Sequence, residues 1–204
     1  MIKIQYGCGL SAVAGWRNFD GSPTLFIQRL PVIGKYLTHG RVTFPTIVEF
    51  GDITKRMPFE DGEVDYVYCS HVLEHLSLSD LRRALAETRR ILKPGGVFRG
   101  VLPDLRILAQ RYVAEDNSTA SIEFMRATML GTESRKRGLA GILESTLGNS
   151  GHLWMWDYEG LAVELRNAGF SDVHEAKFSD STHTVFGEIE EADRWIEGLG
   201  FEAV

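Results

Sequence analysis

A chain of 204 residues has room for one α/β domain and little more, since a typical domain takes ~150 residues. With 44% hydrophobic and 25% charged residues it is neither a disordered nor a collagen-like sequence, and a formal charge of −6 lacks the basic field that a phosphate backbone attracts, so no nucleic acid is expected as partner. No apolar run reaches the ~18 residues of a membrane helix, the N-terminus has no signal-peptide core, and Cys8 and Cys69 are too few for a disulfide framework, which together predict no membrane span and a cytoplasmic location.

Met1 to Tyr6 places Ile2, Ile4 and Tyr6 on one face and stops at Gly7, the pattern of a first strand. Arg17 to Asp20 is a second brief extended run, and Ile47 to Phe50, Val64 to Cys69 and Val97 to Leu102 predict three more strands. The clearest helix starts near Ser79-Asp80, carries Leu81, Leu85, Thr88, Ile91 and Leu92 on one stripe, and stops at Lys93-Pro94-Gly95-Gly96. Its polar face bears Arg82, Arg83, Arg89 and Arg90, with Arg83 and Glu87 spaced as an i,i+4 pair. Beyond Pro103, residues 104–113, 119–130 and 139–147 read as helices. Asp157 caps a further helix through Leu161, Leu165 and Ala168, ended by Gly169. Residues 172–177 and 183–186 are read as closing strands and 189–198 as a terminal helix. The alternation predicts an α/β fold with a mostly parallel sheet and helices on both faces. Within one domain, 1–103 would bind a cofactor, 104–151 form a helical insertion, and 152–204 close the sheet. The insertion packs on its own sheet or on a partner chain, the second giving a homodimer.

The first strand runs into Gly7-Cys8-Gly9-Leu10-Ser11-Ala12, where glycines let a ligand approach backbone N–H groups. The spacing also fits a dinucleotide fingerprint, but that site expects its ribose-binding acid ~20 residues further on, whereas Asp20 follows Gly9 by 11. The crossover is therefore short and atypical. Asp20, ending the second strand, suits acceptance of hydrogen bonds from ribose hydroxyls; the alternative is a turn aspartate in Asp20-Gly21-Ser22-Pro23. Asp52, after Phe50-Gly51, suits an exocyclic amine or, alternatively, turn duty. Cys69-Ser70-His71-Val72-Leu73-Glu74-His75 contains the H-x-x-E-H pattern of zinc hydrolases. A catalytic zinc needs a third protein ligand that nothing downstream specifies, so no metal is expected; the other reading is that His71 and His75 cap and pack the strand–helix junction, which is preferred for His75.

Ile4-Gln5-Tyr6-Gly7-Cys8-Gly9, Gly15-Trp16-Arg17-Asn18-Phe19-Asp20, the run from Met57 to Tyr68, Ser70-His71-Val72-Leu73-Glu74-His75-Leu76 and Ile91-Leu92-Lys93-Pro94-Gly95-Gly96 occur in one order. In that order they resemble class I S-adenosylmethionine-dependent methyltransferases, and within them the type 11 branch, especially short members that begin at the first strand. The resemblance implies a Rossmann-like fold with strand order 3-2-1-4-5-7-6 and one reversed strand. It implies S-adenosylmethionine as cofactor and S-adenosylhomocysteine as product. Gly7, Cys8 and Gly9 would lie under the methionine portion, Asp20 would hold the ribose, Asp52 and Ile53 would meet adenine, and Ser70 and His71 would border the sulfonium. Gln5 stands where the family usually carries an acid, and Ser11 where a third glycine is common.

The implied function is methyl transfer to a small-molecule or saccharide acceptor at a hydroxyl, with His71 and His152 as candidate bases because imidazole titrates near neutrality. If Gly151 to Asp157 is extended, His152, Trp154 and Trp156 share a face suited to a sugar ring; otherwise the tryptophans seal the core. Arg135-Lys136-Arg137 is the one local patch that could meet an anionic substrate, though such a run is usually a solvated loop, and the two cysteines read as small buried residues rather than a thiol pair near the cofactor. The alternatives are a non-catalytic cofactor-binding subunit and, more weakly, a zinc hydrolase.

Overall fold

A computed structural model describes residues 1–31, 43–134 and 151–204. The helix expected over 139–147 and the basic run at Arg135-Lys136-Arg137 lie outside the described residues. Seven strands form one sheet: β1 (Lys3–Tyr6), β2 (Arg17–Asp20), β3 (Val48–Phe50), β4 (Val64–Ser70), β5 (Leu92–Pro103), β6 (Val173–Ala176) and β7 (Gly198–Ala203), in the order β3-β2-β1-β4-β5-β7-β6. β1 to β5 run parallel, and β7 is antiparallel to both β5 and β6. This is the expected order, and its cause is local: each parallel step needs a crossover, whereas β6 and β7 are joined by a long excursion of turns.

The β1–β2 crossover has no helix. The amide of Asn18 takes its place, accepting from Val13 N (3.0 Å) and donating to the carbonyls of Val13 (2.9 Å) and Trp16 (2.8 Å). Next, α1 (Pro23–Gln28) starts on a Ser22 cap with proline in its first turn. α2 (Leu78–Ile91) is capped by Ser77, whose hydroxyl accepts from Asp80 N, and buries Leu81, Ala84, Leu85, Thr88 and Ile91 at helical spacing. The Arg83–Glu87 pair does not form. Arg83 turns back to Asp80 while Glu87 bonds Arg90 (2.6 Å) and Met57 N (2.6 Å), because Glu87 faces the loop before β4. α3 (Leu105–Ala114) and α4 (Ala120–Ala127) follow β5, and Tyr112 packs on Phe124. α5 (Tyr158–Asn167) begins where Asp157 Oδ1 accepts from Gly160 N (2.9 Å) and ends at Gly169, whose φ of +98° favours glycine. β1, β4, β5 and β7 carry the main core, where Ile4, Tyr6, Val67, Phe98 and Phe201 meet α2 and α5.

The C-terminal expectations change. His183 to Phe186 is not a strand but enters a 3-10 turn at Thr184–Glu188. The helix expected over 189–198 is replaced by a 3-10 turn at Ala192–Trp195, and β7 follows. β7 owes its place to partners: Phe201 packs edge-on against Phe98 at 4.9 Å, while Glu202 faces Arg99. β5 also starts earlier than expected, because Leu92 pairs with Val64 before the chain turns at Gly95 (φ +77°).

Arg99 sits wholly buried in β5. Its guanidinium bonds Glu190 (2.6 Å), Glu202 (2.9 Å), Asp180 (2.9 Å) and the Lys177 carbonyl (2.7 Å). A buried cation persists only with such partners, so this cluster fastens the segment between β6 and β7 to the sheet.

Candidate active site

The carboxyl ends of β1, β2 and β4 open on a cleft. Gly7 and Gly9 take left-handed φ values (+63° and +54°) that turn the chain sharply out of β1. A Cβ at Gly7 would overlap Val72, whereas one at Gly9 would meet only open space. The loop is tied down by Asp20, whose Oδ2 accepts from Gly9 N (3.0 Å) and Oδ1 from Ser22 N (2.8 Å). Each carboxylate oxygen keeps a further lone pair for a ligand hydroxyl.

Two cavities meet here. One of about 330 Å3 is lined by Gln5, Gly7, Cys8, Gly9, Ser70 and His71, with Arg194 from the last 3-10 turn and Glu191 just before it. The other, about 570 Å3, is lined by Asp20, Gly51, Asp52, Ile53, His71 and His75 among others. Gly7 and His71 line both, so the cavities adjoin, and each falls within the size range of small-ligand sites. The structure thus brings together Gly7, Cys8, Gly9, Asp20, Asp52, Ile53, Ser70 and His71, and leaves His152 outside both linings. Glu191 and Arg194 were missed because their segment reads as a helix far along the chain.

Polar atoms in the cleft lack partners. Among the described residues, the buried Gln5 Oε1 and Ser70 Oγ make no hydrogen bond. Unpaired buried acceptors and hydroxyls cost stability unless a ligand or water meets them, so both fit a polar ligand seated over the glycine loop. Asp52 is partly committed: burial would raise its pKa, but the Thr54 hydroxyl (2.6 Å) and the Lys55 ammonium (3.0 Å) outweigh that and hold the carboxyl below its ordinary range. Burial, aided by Asp20, pushes the Cys8 thiol up to about 12, and burial also raises Cys69; neither serves as a thiolate nucleophile.

The two histidines differ. His71 sits at φ +53°, with Nδ1 3.4 Å from Glu74 Oε1 and Nε2 2.9 Å from the Arg194 carbonyl. The Glu74 carboxylate raises its pKa against the opposing effect of burial. With Nε2–H donating to the Arg194 carbonyl, Nδ1 beside Glu74 is the nitrogen that gains or loses the titrating proton. His152 is buried, with Nε2 4.0 Å from Glu74 Oε1 and Nδ1 3.2 Å from Met155 Sδ. Desolvation lowers its pKa despite Glu74, so it is neutral near pH 7 and keeps a lone pair. Its ring meets that of His75 edge-on at 4.9 Å. Trp156 is core, while Trp154 is 43% exposed, so His152 and both tryptophans do not form a shared ligand face.

Glu74 is the residue that sequence reasoning undervalued. It is fully buried on the 3-10 turn Leu73–His75, and its carbonyl accepts from Leu153 N (2.8 Å) and Trp154 N (3.1 Å), drawing the distant 152–154 segment against the end of β4. The H-x-x-E-H pattern therefore lies on a short turn, and His71 and His75 do not share one helical face.

A sheet ordered 3-2-1-4-5-7-6 with an antiparallel seventh strand, and a cleft over the first glycine loop, defines a class I methyltransferase fold. The family model described as a methyltransferase domain, of type 11, matches residues 35–99. The uncharacterized methyltransferase sll0829 of Synechocystis is 30% identical over 91 residues, 45% of this chain and 42% of its own. The Aspergillus luteorubrus protein ltbC, named as a methyltransferase, is 40% identical over 53 residues, 26% of this chain and 19% of its own. The chain thus spans less than half the length of the curated relatives it matches. Among solved structures, a complex of a methyltransferase with the Haloferax volcanii Trm112 methyltransferase activator aligns with TM-score 0.51 at 20% identity, covering 100% of this chain and 81% of that one. The CurJ carbon methyltransferase aligns with TM-score 0.52 at 15% identity, covering 100% and 48%. Together these matches show the class I methyltransferase fold, with residues 35–99 similar to the type 11 methyltransferase domain family. No helix among the described residues is long and apolar enough to cross a membrane.

Proposed function

We propose that this domain transfers a methyl group from S-adenosylmethionine to a hydroxyl of a small-molecule or saccharide acceptor. The observation that carries the reading is the paired cavity at the ends of β1, β2 and β4, with Asp20 at one side and the unpartnered Gln5 Oε1 and Ser70 Oγ at the other. When bound, the cofactor supplies an activated methyl on a sulfonium. The chain's task is then to hold, orient and exclude water.

In this reading Asp20 accepts from the ribose hydroxyls. Asp52 and Ile53 face adenine, and Gly7, Cys8 and Gly9 support the methionine portion with Gln5 Oε1 as an acceptor beside it. Ser70 and His71 border the sulfonium. An acceptor of small size suits the 330 Å3 cavity, which Glu191 and Arg194 bound from the far side. A hydroxyl proton leaves through the open cleft or to an imidazole; of the two candidate bases, His71 lines both cavities and His152 lines neither. The two free cysteines support a reducing, cytoplasmic setting.

Calorimetric titration with S-adenosylhomocysteine tests the cofactor assignment. Asp20→Asn removes charge-assisted bonds of about 1.5–3 kcal/mol, so affinity should fall at least about tenfold. Failure of the wild-type chain to bind would sink the reading. Binding without turnover across sugar, phenol, amine and thiol acceptors would favour a non-catalytic subunit.

A further inference from the structure

Beside the cofactor cleft, the Glu74 carboxylate is fully buried, and among the described residues neither oxygen has a hydrogen-bond partner. One ligand atom each from Glu74, His75 and His152 lies within 4.8 Å of the others. The imidazoles are poised as donors. His75 Nδ1 donates to the Gly151 carbonyl (3.1 Å), which leaves Nε2 as its lone-pair nitrogen. His152 turns Nε2 toward Glu74 (4.0 Å) and Nδ1 toward the Met155 sulfur (3.2 Å). The gap between His152 and Glu74 is too long for a hydrogen bond, and it is of the length an intervening ion spans, since two bonds of ~2.1 Å separate donors by roughly 3.4 Å at a tetrahedral centre. A side-chain shift of under about an ångström closes the rest.

We propose that Glu74, His75 and His152 bind one divalent transition-metal ion of the zinc class. Two imidazoles and one carboxylate favour such an ion over calcium or magnesium, which take oxygen donors. Three protein donors leave a fourth position for water or an acceptor oxygen. His71 stands beside the carboxylate, with Nδ1 3.4 Å from Glu74 Oε1. The ion would join by side chains what the backbone already joins, because Leu153 N and Trp154 N bond the Glu74 carbonyl. The H-x-x-E-H pattern marks one end of this site but suggests the wrong partner: His71 lies outside the set, and the third donor, His152, lies 77 residues beyond His75. On this assignment the His152 lone pair serves the metal and not an acceptor proton. The methyl-transfer reading stands independently of it.

The full chain is stripped with chelator, incubated with zinc, desalted and analysed for metal, and its melting temperature is followed. Cobalt substitution is read by visible absorption. Expected are about one zinc per chain, a higher melting temperature with zinc, and the intense bands of four-coordinate cobalt. His152→Ala and His75→Ala should each reduce retained zinc at least tenfold, and His75 is only half-buried, so its variant guards against misfolding. His174→Ala, on the exposed face of β6, should retain the wild-type amount. Less than a tenth of an equivalent in the wild type, or equal retention in the His75 and His152 variants, would overturn the proposal; the buried carboxylate would then be neutralised by the imidazoles alone. S-adenosylhomocysteine binding to the stripped protein reads the cofactor cleft separately.

Discussion

Replacing Arg99 by methionine removes a charge from the middle of the sheet while keeping most of the side chain's length. The guanidinium is fully buried and bonds three carboxylates and a carbonyl. Asp180 is 44% exposed and returns to water at little cost, but Glu190 and Glu202, at 1% and 6%, are stranded without their cation. Breaking a buried pair on one side costs ~3–5 kcal/mol, because the remaining charge loses both its solvent and its partner. For a domain of this size each kcal/mol moves the melting temperature by about 2–4 °C, so Arg99→Met should melt roughly 6–20 °C below wild type. Circular dichroism melts measure the shift, and urea titration checks that the transition stays cooperative. Adding Glu190→Gln and Glu202→Gln removes the stranded charges and should recover most of the loss. A single variant within about 2 °C of wild type, or a triple variant no better than the single one, would refute the electrostatic account.

Gly7→Ala and Gly9→Ala both force alanine into the left-handed region, at about 1–2 kcal/mol each, but only the Gly7 variant also drives a Cβ into Val72. It should lose distinctly more thermal stability and more S-adenosylhomocysteine affinity; equal effects in melts and titrations would contradict the packing at Val72. Asp157→Ala removes the α5 cap and should cost ~1 kcal/mol. The Gly160 N–H first, then the Arg106 guanidinium, hold the Asp157 carboxyl below its ordinary pKa. That stabilisation is present above the unfolded value near ~4 and is lost as pH falls through the lower folded value. The stability gap between wild type and Asp157→Ala should therefore narrow below about pH 4 in denaturant titrations; a gap constant with pH would remove the carboxylate's charge from the explanation.

How much was legible depended on how local the cause was. β1, β2, β4, α2 and α5 follow from periodicity, caps and glycine stops within a few residues, so Ile4, Tyr6, Leu81, Leu85 and Leu161 declare their burial in the sequence. The glycine loop and Asp20 were likewise visible, since a strand end followed by glycines and a nearby acid is a local pattern. The C-terminal strand was not. Gly198 to Ala203 carries two glycines and a glutamate, weak strand formers, and becomes β7 because Phe98 and Arg99 on β5 offer Phe201 and Glu202 a place.

The strands and helices of the first half were thus legible from short-range chemistry, turns, alternation and caps, while strand order and cofactor class were implied by the resemblance that a series of motifs carries. Tertiary structure decided the rest, because burial and charge pairing join residues that no spacing rule connects. It placed Arg99 among three carboxylates from the C-terminal segment and set His71 between Glu74 and the Arg194 carbonyl. It also carried His152 to a buried carboxylate from the other half of the chain.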